Sequence, residues 1–94
     1  MKTPKQLERH FKGVANHRRI EILFLISSSP GIDLDDIAKR LKCNLKTIGE
    51  HTRRLALAGL VEKKYRGREV AHTVSPYGQI FIKFISGFSR INET

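Results

Sequence analysis

The feature that most constrains this chain is a change of hydrophobic period at Gly59. Before it, residues 34–58 repeat apolar side chains every three or four positions, which is typical of amphipathic helices. After it, residues 60–65 and 69–74 form two strand-like runs around Arg-Gly-Arg at 66–68, a pattern that predicts a hairpin with a glycine turn. The chain is therefore predicted to fold as a mainly α domain with a small β-hairpin.

Capping residues divide the helical part of the chain into separate helices. Asn16, Asp33, Asn44 and Ser75 each precede an apolar stretch and can accept a hydrogen bond from the first turn of a helix. The apolar run 20–26 taken alone is also compatible with a strand, but the cap at Asn16 favours a helix. The predicted order is four helices, a hairpin and a fifth helix, with the helices at about 5–14, 17–28, 34–41, 45–58 and 76–91.

The third and fourth helices are separated only by residues 43–44, which leave room for a tight turn. Two helices joined in this way form a helix-turn-helix, whose second helix is the recognition element that enters the DNA major groove. On that helix, Ile48, Thr52, Leu55 and Ala58 are spaced for one inward face. A basic hairpin directly after the pair makes the unit a winged helix-turn-helix.

Positive charge is concentrated in the middle of the chain. The 94 residues include 18 lysines and arginines and 9 acidic residues, for a net charge of +9. Residues 39–72 hold ten of the basic residues and three of the acidic ones, a net charge of +7, and each flank is nearly neutral. This distribution is typical of a polyanion-binding element on a neutral scaffold, and the alternative is a solvated basic surface that serves solubility.

Four stretches of the sequence resemble the ArsR-type winged-helix transcriptional regulators. They are residues 17–23 (HRRIEIL), 32–41 (IDLDDIAKRL), 47–61 (TIGEHTRRLALAGLV) and the Arg-Gly-Arg turn at 66–68. The resemblance covers about residues 10–85, and the MarR-type branch shares much of it. It implies a homodimer in which the first and last helices pair and two recognition helices bind a palindromic operator.

The sequence departs from that family at the positions used for metal sensing. Metal-sensing members carry a cysteine pair at the start of the third helix, where this chain has Asp-Leu-Asp at 33–35. Others carry Asp and His ligands on the last helix, which here contains neither before its end. The four histidines, at 10, 17, 51 and 72, come from separate elements without zinc-ligand spacing. We therefore expect no metal site and no cofactor, and surface or capping roles for the histidines.

Two further positions carry predictions about packing. Thr52 stands where the resembling family often has leucine, so we expect the recognition helix to be less tightly anchored or differently packed. Cys43 precedes the cap of that helix, where a small apolar residue would pack, and we expect a buried structural thiol. The alternative, redox sensing, needs an exposed thiolate of low pKa.

The residues expected to contact DNA lie on the outward side of the recognition helix and on the hairpin. Arg53 can reach guanine, and Arg66 and Arg68 can reach the phosphate backbone or the minor groove. Two roles are possible for Glu50. It can accept a hydrogen bond from a cytosine amino group, or it can form an ion pair with a cation four residues away on its own helix. The predicted set is Asn44, Lys46, Thr47, Glu50, His51, Arg53, Arg54, Lys63, Lys64, Arg66 and Arg68.

The last predicted helix carries an apolar stripe that is too wide for a helix touching one neighbour. Five of its residues follow the four-three spacing found at the seam of paired helices, and two residues of the first helix are added to them. The predicted dimer interface is Leu7, Phe11, Tyr77, Phe81, Phe84, Phe88 and Ile91. The same phenylalanines are compatible with a ligand pocket, but we expect core packing together with a dimer seam.

These patterns predict one domain over residues 1–94, with the helix-turn-helix at 33–58, the wing at 60–74 and dimerisation helices at 4–15 and 76–91. The predicted function is sequence-specific binding of double-stranded DNA by a dimeric transcriptional regulator that represses by occlusion. The alternatives are a winged helix that binds protein within a larger assembly, or one that binds RNA.

Other classes of protein are not predicted. The sequence shows no paired acid and base, no nucleophile with an evident base and no glycine-rich phosphate loop, so we expect no enzyme. It also shows no signal peptide and no apolar run of the roughly 20 residues that a bilayer span needs. We therefore expect a cytoplasmic protein.

Overall fold

The computed structural model describes residues 1–91, which form five helices and one hairpin. This order confirms the predicted winged helix-turn-helix, and the fifth helix ends two residues earlier than predicted. The helices are α1 (Pro4–Val14), α2 (His17–Ser28), α3 (Leu34–Leu41), α4 (Leu45–Leu57) and α5 (Pro76–Ser89), and the strands are β1 (Val61–Arg66) and β2 (Glu69–Val74).

Side-chain caps set the starts of the helices. The caps predicted at Asn16, Asp33, Asn44 and Ser75 are all present, since each side chain accepts at least one N–H from the first turn of its helix. A further capping box, built on Thr3, begins α1 and was not predicted. Because these hydrogen bonds span only two or three residues, the helix starts follow from local sequence.

The core lies where α2, α3 and α4 meet the start of the hairpin. The inward face predicted for α4 is confirmed, because Ile48, Thr52, Leu55 and Ala58 are all buried. Thr52 fits this apolar site by donating its hydroxyl hydrogen to the Ile48 carbonyl at 2.7 Å, which leaves no buried polar group unpaired there. The largest fully buried apolar side chains are Ile22, Leu23, Ile26, Ile37, Ile48, Leu55 and Leu60.

The two strands form a tight antiparallel hairpin. Val61 lies opposite Val74 and Arg66 lies opposite Glu69, so the turn proper consists of residues 67–68. Gly67 has φ of +62°, a left-handed conformation that glycine adopts without a steric penalty. Arg66, predicted as a turn residue, is therefore the last residue of β1.

The base of the hairpin is fastened to the loop before α3. The Gly31 N–H donates to the His72 carbonyl at 2.8 Å, and the His72 N–H donates to the Ile32 carbonyl at 3.1 Å. The His72 ring adds a third hydrogen bond, from Nδ1 to the same Ile32 carbonyl at 2.9 Å. Because this bridge joins a single pair of residues, it produces no hydrophobic repeat in the sequence, and the sequence pattern did not predict it.

α1 and α5 pack on the outside of this unit through close contacts. Gly13 lies against Ala58 and Gly78 lies against the Leu60 carbonyl, both so closely that a Cβ would not fit. His10 is buried at the first of these junctions, where its Nδ1–H donates to the Ala58 carbonyl at 2.6 Å. None of the helices within residues 1–91 combines the length and the hydropathy that crossing a bilayer requires.

Candidate nucleic-acid interface

The polar side of α4 faces solvent from its first turn onward. The Asn44 side chain accepts from the N–H groups of Lys46 and Thr47 at 2.8 and 3.2 Å, so its oxygen serves the helix start. Lys46, Thr47, Arg53 and Arg54 are all exposed, in contrast to the buried face of the same helix. The structure thus brings these predicted residues together on one uncovered helix face.

Glu50 lies within this face and is bound by two arginines of its own helix. Its Oε1 accepts from Arg53 Nη2 at 2.6 Å and its Oε2 from Arg53 Nε at 3.0 Å, while Arg54 Nε donates to Oε1 at 3.2 Å. The hydrogen bonds from Arg53 lower the pKa of Glu50 to about 2, and the same contact raises the pKa of Arg53. Of the two roles left open for Glu50, the free protein shows the ion pair.

His51 is half-buried against α2, unlike the exposed cations beside it. Its Nδ1 is buried, and no group within residues 1–91 forms a hydrogen bond with it. Burial lowers the pKa of His51, and the positive charges of Arg19, Arg18 and Arg54 lower it further. His51 is therefore a neutral imidazole at neutral pH, in the contact between α2 and α4.

Arg18 and Arg19, at the start of α2, extend the positive charge beyond the predicted residues. Arg19 lies near enough to α4 for the charge of Arg54 to lower its pKa, although burial is the larger cause. Arg18 forms an ion pair with Glu21 at 3.2 Å. The Arg-Arg dipeptide is visible in the sequence, but only the packing of α2 on α4 places it beside this face.

The cations of the hairpin are exposed and are divided between its two faces. Lys63 and Lys64 point to opposite sides because side chains alternate along a strand, and Arg66 shares the side of Lys64. Arg66 Nη2 reaches back toward Gly31, whereas Arg68 lies in the turn. We use the name basic face for the exposed polar residues of α4 together with the exposed cations on both sides of the hairpin: Lys46, Thr47, Glu50, Arg53, Arg54, Lys63, Lys64, Arg66 and Arg68.

A second uncovered surface is formed by α1 and α5. Phe81 is half-buried, meets the Phe11 ring edge-on at 5.0 Å and packs against the core together with Ile82 and Ile85. A groove of about 340 Å³ lies between α1 and α5. We call this surface the apolar face, defined by its exposed members Leu7, Phe11, Tyr77, Ile80, Phe84, Phe88 and Ile91.

The histidines and the cysteine are placed differently from the predictions. His10 and His72 are buried and bonded to main-chain carbonyls, so a surface role is wrong for both, although His10 does cap the end of α4. Cys43 is half-buried against the core rather than fully buried. Within residues 1–91, no cluster of three His, Cys, Asp or Glu side chains could hold a metal ion.

The family model for the MarR family matches residues 15–66, from the cap of α2 to the end of β1. This is the branch that shares much of the resemblance drawn from the sequence. A search of curated proteins found no match.

Solved structures share the fold over nearly the whole chain. A homodimeric winged helix-turn-helix DNA-binding domain from Mycobacterium bovis, a possible ArsR-family transcriptional regulator, is 24% identical, with a TM-score of 0.81 over 94% of this chain and 83% of that one. Reduced HlyU from Vibrio cholerae is 20% identical, with a TM-score of 0.79 over 93% and 92% of the two chains. MarR is 23% identical, with a TM-score of 0.75 over 87% and 63%.

Proposed function

This chain belongs to the MarR family, and from that premise we propose that it is a transcriptional regulator that binds double-stranded DNA sequence-specifically. The observation that carries the proposal is the basic face, which lies in the segment 39–72 with its net charge of +7. Phosphate neutralisation by such a surface supplies essentially all of the non-specific affinity of DNA-binding proteins and a large share of their specific affinity. The protein acts by occupying DNA, as a repressor that occludes a promoter, and not by catalysis.

In the proposed complex, α4 lies in the major groove and the hairpin lies on the adjacent backbone or minor groove. Lys46 and Thr47 are on the first turn of α4, the part of a recognition helix that contacts base edges. Arg53 is about two helical turns further along and can bind the O6 and N7 atoms of guanine. Arg66 and Arg68 contact phosphates or the minor groove.

The regulator works as a homodimer joined through the apolar face. Phe84 and Phe88 on α5 are 57% and 60% exposed in one chain, and a continuous apolar patch of this kind marks an interface. The Mycobacterium bovis domain with the same fold is homodimeric, which supports this assembly. A two-fold dimer places two recognition helices about 34 Å apart, so the operator is a palindrome with half-sites one DNA turn apart.

The proposal is tested by selecting bound sequences from a pool of random DNA duplexes. We expect a palindromic site to be enriched, and its binding to weaken steeply with salt, with a slope of about −0.9 for each neutralised phosphate. A structured RNA of equal length and an unselected duplex serve as controls. Tighter binding to the RNA, or failure to enrich any duplex, would contradict the proposal.

A further inference from the structure

Two arginines of the basic face, Arg53 and Arg54, are paired with a carboxylate in the free protein. Arg53 presents the Nε and Nη2 edge of its guanidinium to Glu50 in a bidentate contact, with distances of 3.0 and 2.6 Å. Arg54 adds its Nε at 3.2 Å. Because a guanine or a phosphate can bind such a donor pair, DNA and Glu50 compete for the Nε and Nη2 edge of Arg53 and for the Nε of Arg54.

We propose that Glu50 is a specificity-determining residue that holds Arg53 and Arg54 in the free protein and releases them only to a matching base pair. The inference rests on the proposed function and adds to it the expectation that random DNA is bound more weakly than the operator.

The chemistry of the exchange separates phosphates from bases. A phosphate can replace the carboxylate as a partner of an arginine, but it has no hydrogen to donate to Glu50. The carboxylate stays ionised at neutral pH even without its arginines, because the ordinary pKa of a glutamate is about 4.3, and it is then left near the negatively charged DNA backbone without a donor. Non-specific contacts therefore gain little from these two arginines.

A G·C base pair supplies both halves of the exchange. The O6 and N7 atoms of guanine accept from an arginine fork, and the N4 amino group of the paired cytosine donates to a carboxylate. Glu50 and Arg53 are one helical turn apart on the same exposed face, at a spacing that brings side chains together. We therefore expect a G·C pair opposite Glu50 and Arg53 in each half-site.

Glu50 is distinct from the other acidic residues of the basic segment. Glu62 and Glu69, the other two carboxylates of residues 39–72, are exposed, and neither forms an ion pair within the described part of the chain. Glu62 therefore provides a matched control, because Glu62→Gln removes the same charge without releasing an arginine.

The test compares Glu50→Gln with Glu62→Gln on a random duplex and on the selected operator, across a series of salt concentrations. We expect Glu50→Gln to raise affinity for the random duplex about tenfold and to steepen its salt slope by one to two units, at about 0.9 per released arginine. The ratio of operator affinity to random-duplex affinity should fall. Glu62→Gln should give a smaller gain with that ratio preserved.

A double-mutant cycle separates release of the arginines from plain loss of a negative charge. In an Arg53→Ala, Arg54→Ala background, Glu50→Gln should raise the affinity no more than Glu62→Gln does, whereas a tenfold gain that persists there overturns the inference. Equal gains for Glu50→Gln and Glu62→Gln, with normal duplex binding by the unaltered chain, overturn the inference alone. Absence of duplex binding by the unaltered chain overturns the proposed function and the inference with it. All variants should keep the helical circular dichroism spectrum, because all four altered residues, Glu50, Arg53, Arg54 and Glu62, are exposed.

Discussion

The basic face and the apolar face are both exposed in a single chain, but the free-energy cost of exposing them to water differs. Lysine and arginine side chains of the basic face remain hydrated at little cost. Phe84, Phe88 and their neighbours on the apolar face expose carbon to water, which costs roughly 25 cal/mol for each Å². The basic face is therefore stable in contact with water, whereas exposure of the apolar face favours association with another apolar surface.

The two surfaces also differ in how directly each can be predicted from a sequence. Net charge in a segment indicates an exposed surface almost by itself, since lysine and arginine are rarely buried. An apolar helical stripe does not say whether its own chain or a second chain covers it. α5 illustrates both cases, because Ile82 and Ile85 pack on the core while Phe88 on the same helix is exposed.

The largest effect is expected from placing a charge on the apolar face. We expect Phe88→Asp to raise the dimer dissociation constant by at least about 100-fold, the size of effect found at interface hot spots, because dimerisation would bury a carboxylate. Sedimentation equilibrium measures the constant, and DNA binding should weaken with it. Leu57→Asp is the control, since Leu57 is 61% exposed against 60% for Phe88 but lies at the end of α4. A chain that is already monomeric at tens of micromolar would contradict the assembly.

The basic face is tested next by removing the arginines of the wing. The Arg66→Ala, Arg68→Ala double variant should weaken binding to all duplexes about tenfold and lower the salt slope by about two units, because two phosphate contacts are lost. Lys5→Ala with Lys83→Ala removes the same charge from α1 and α5, and should change the slope less. An unchanged slope in the wing variant would exclude the hairpin from the interface.

His10 joins the two surfaces, because it lies on α1 and binds the end of α4. His10→Phe keeps a ring that can stack on Tyr77 but leaves the buried Ala58 carbonyl without its donor. We expect the free energy of unfolding to fall by about 1–3 kcal/mol, measured by urea denaturation. The exposed His17 provides the control variant, His17→Phe. Equal stabilities of the two variants would show that the hydrogen bond is not needed.

His72 fastens the hairpin to the loop before α3, and it gives the smallest expected effect. Burial lowers the pKa of His72, outweighing the hydrogen bond to Ile32 that raises it. As pH falls below about 6.5, His72 takes up a proton more readily in the unfolded chain than in the folded one. The free energy of unfolding therefore decreases as pH falls.

Each unit of difference between the folded and unfolded pKa contributes about 1.4 kcal/mol. His72→Asn retains a donor for the Ile32 carbonyl but cannot titrate, so its melting temperature should fall less than that of the unaltered chain between about pH 7.5 and pH 5.5. His51→Gln should reduce the pH dependence in the same direction, because the pKa of His51 is also lowered. Parallel losses in the unaltered chain and in His72→Asn would contradict this account.

Much of the fold could be predicted because it depends on contacts close in sequence. The caps at Asn16, Asp33, Asn44 and Ser75 bond to groups two or three residues away, and the turn at Gly67 needs only a residue that tolerates positive φ. The candidate site could be proposed for the same reason, since its cations all lie within residues 39–72, whose net charge can be counted from the sequence.

The order of the elements, the inward face of α4 and the segment that carries the positive charge could all be predicted from the sequence alone. Only the tertiary structure decided that His10 and His72 are buried, because their partners lie 48 and 40 residues away. It also decided that Arg18 and Arg19 lie close to the charges of α4. The physical reason is that local hydrogen bonds and periodicity act within one helical turn, whereas the pairing of distant groups depends on how helices pack and on which side-chain rotamers that packing leaves open.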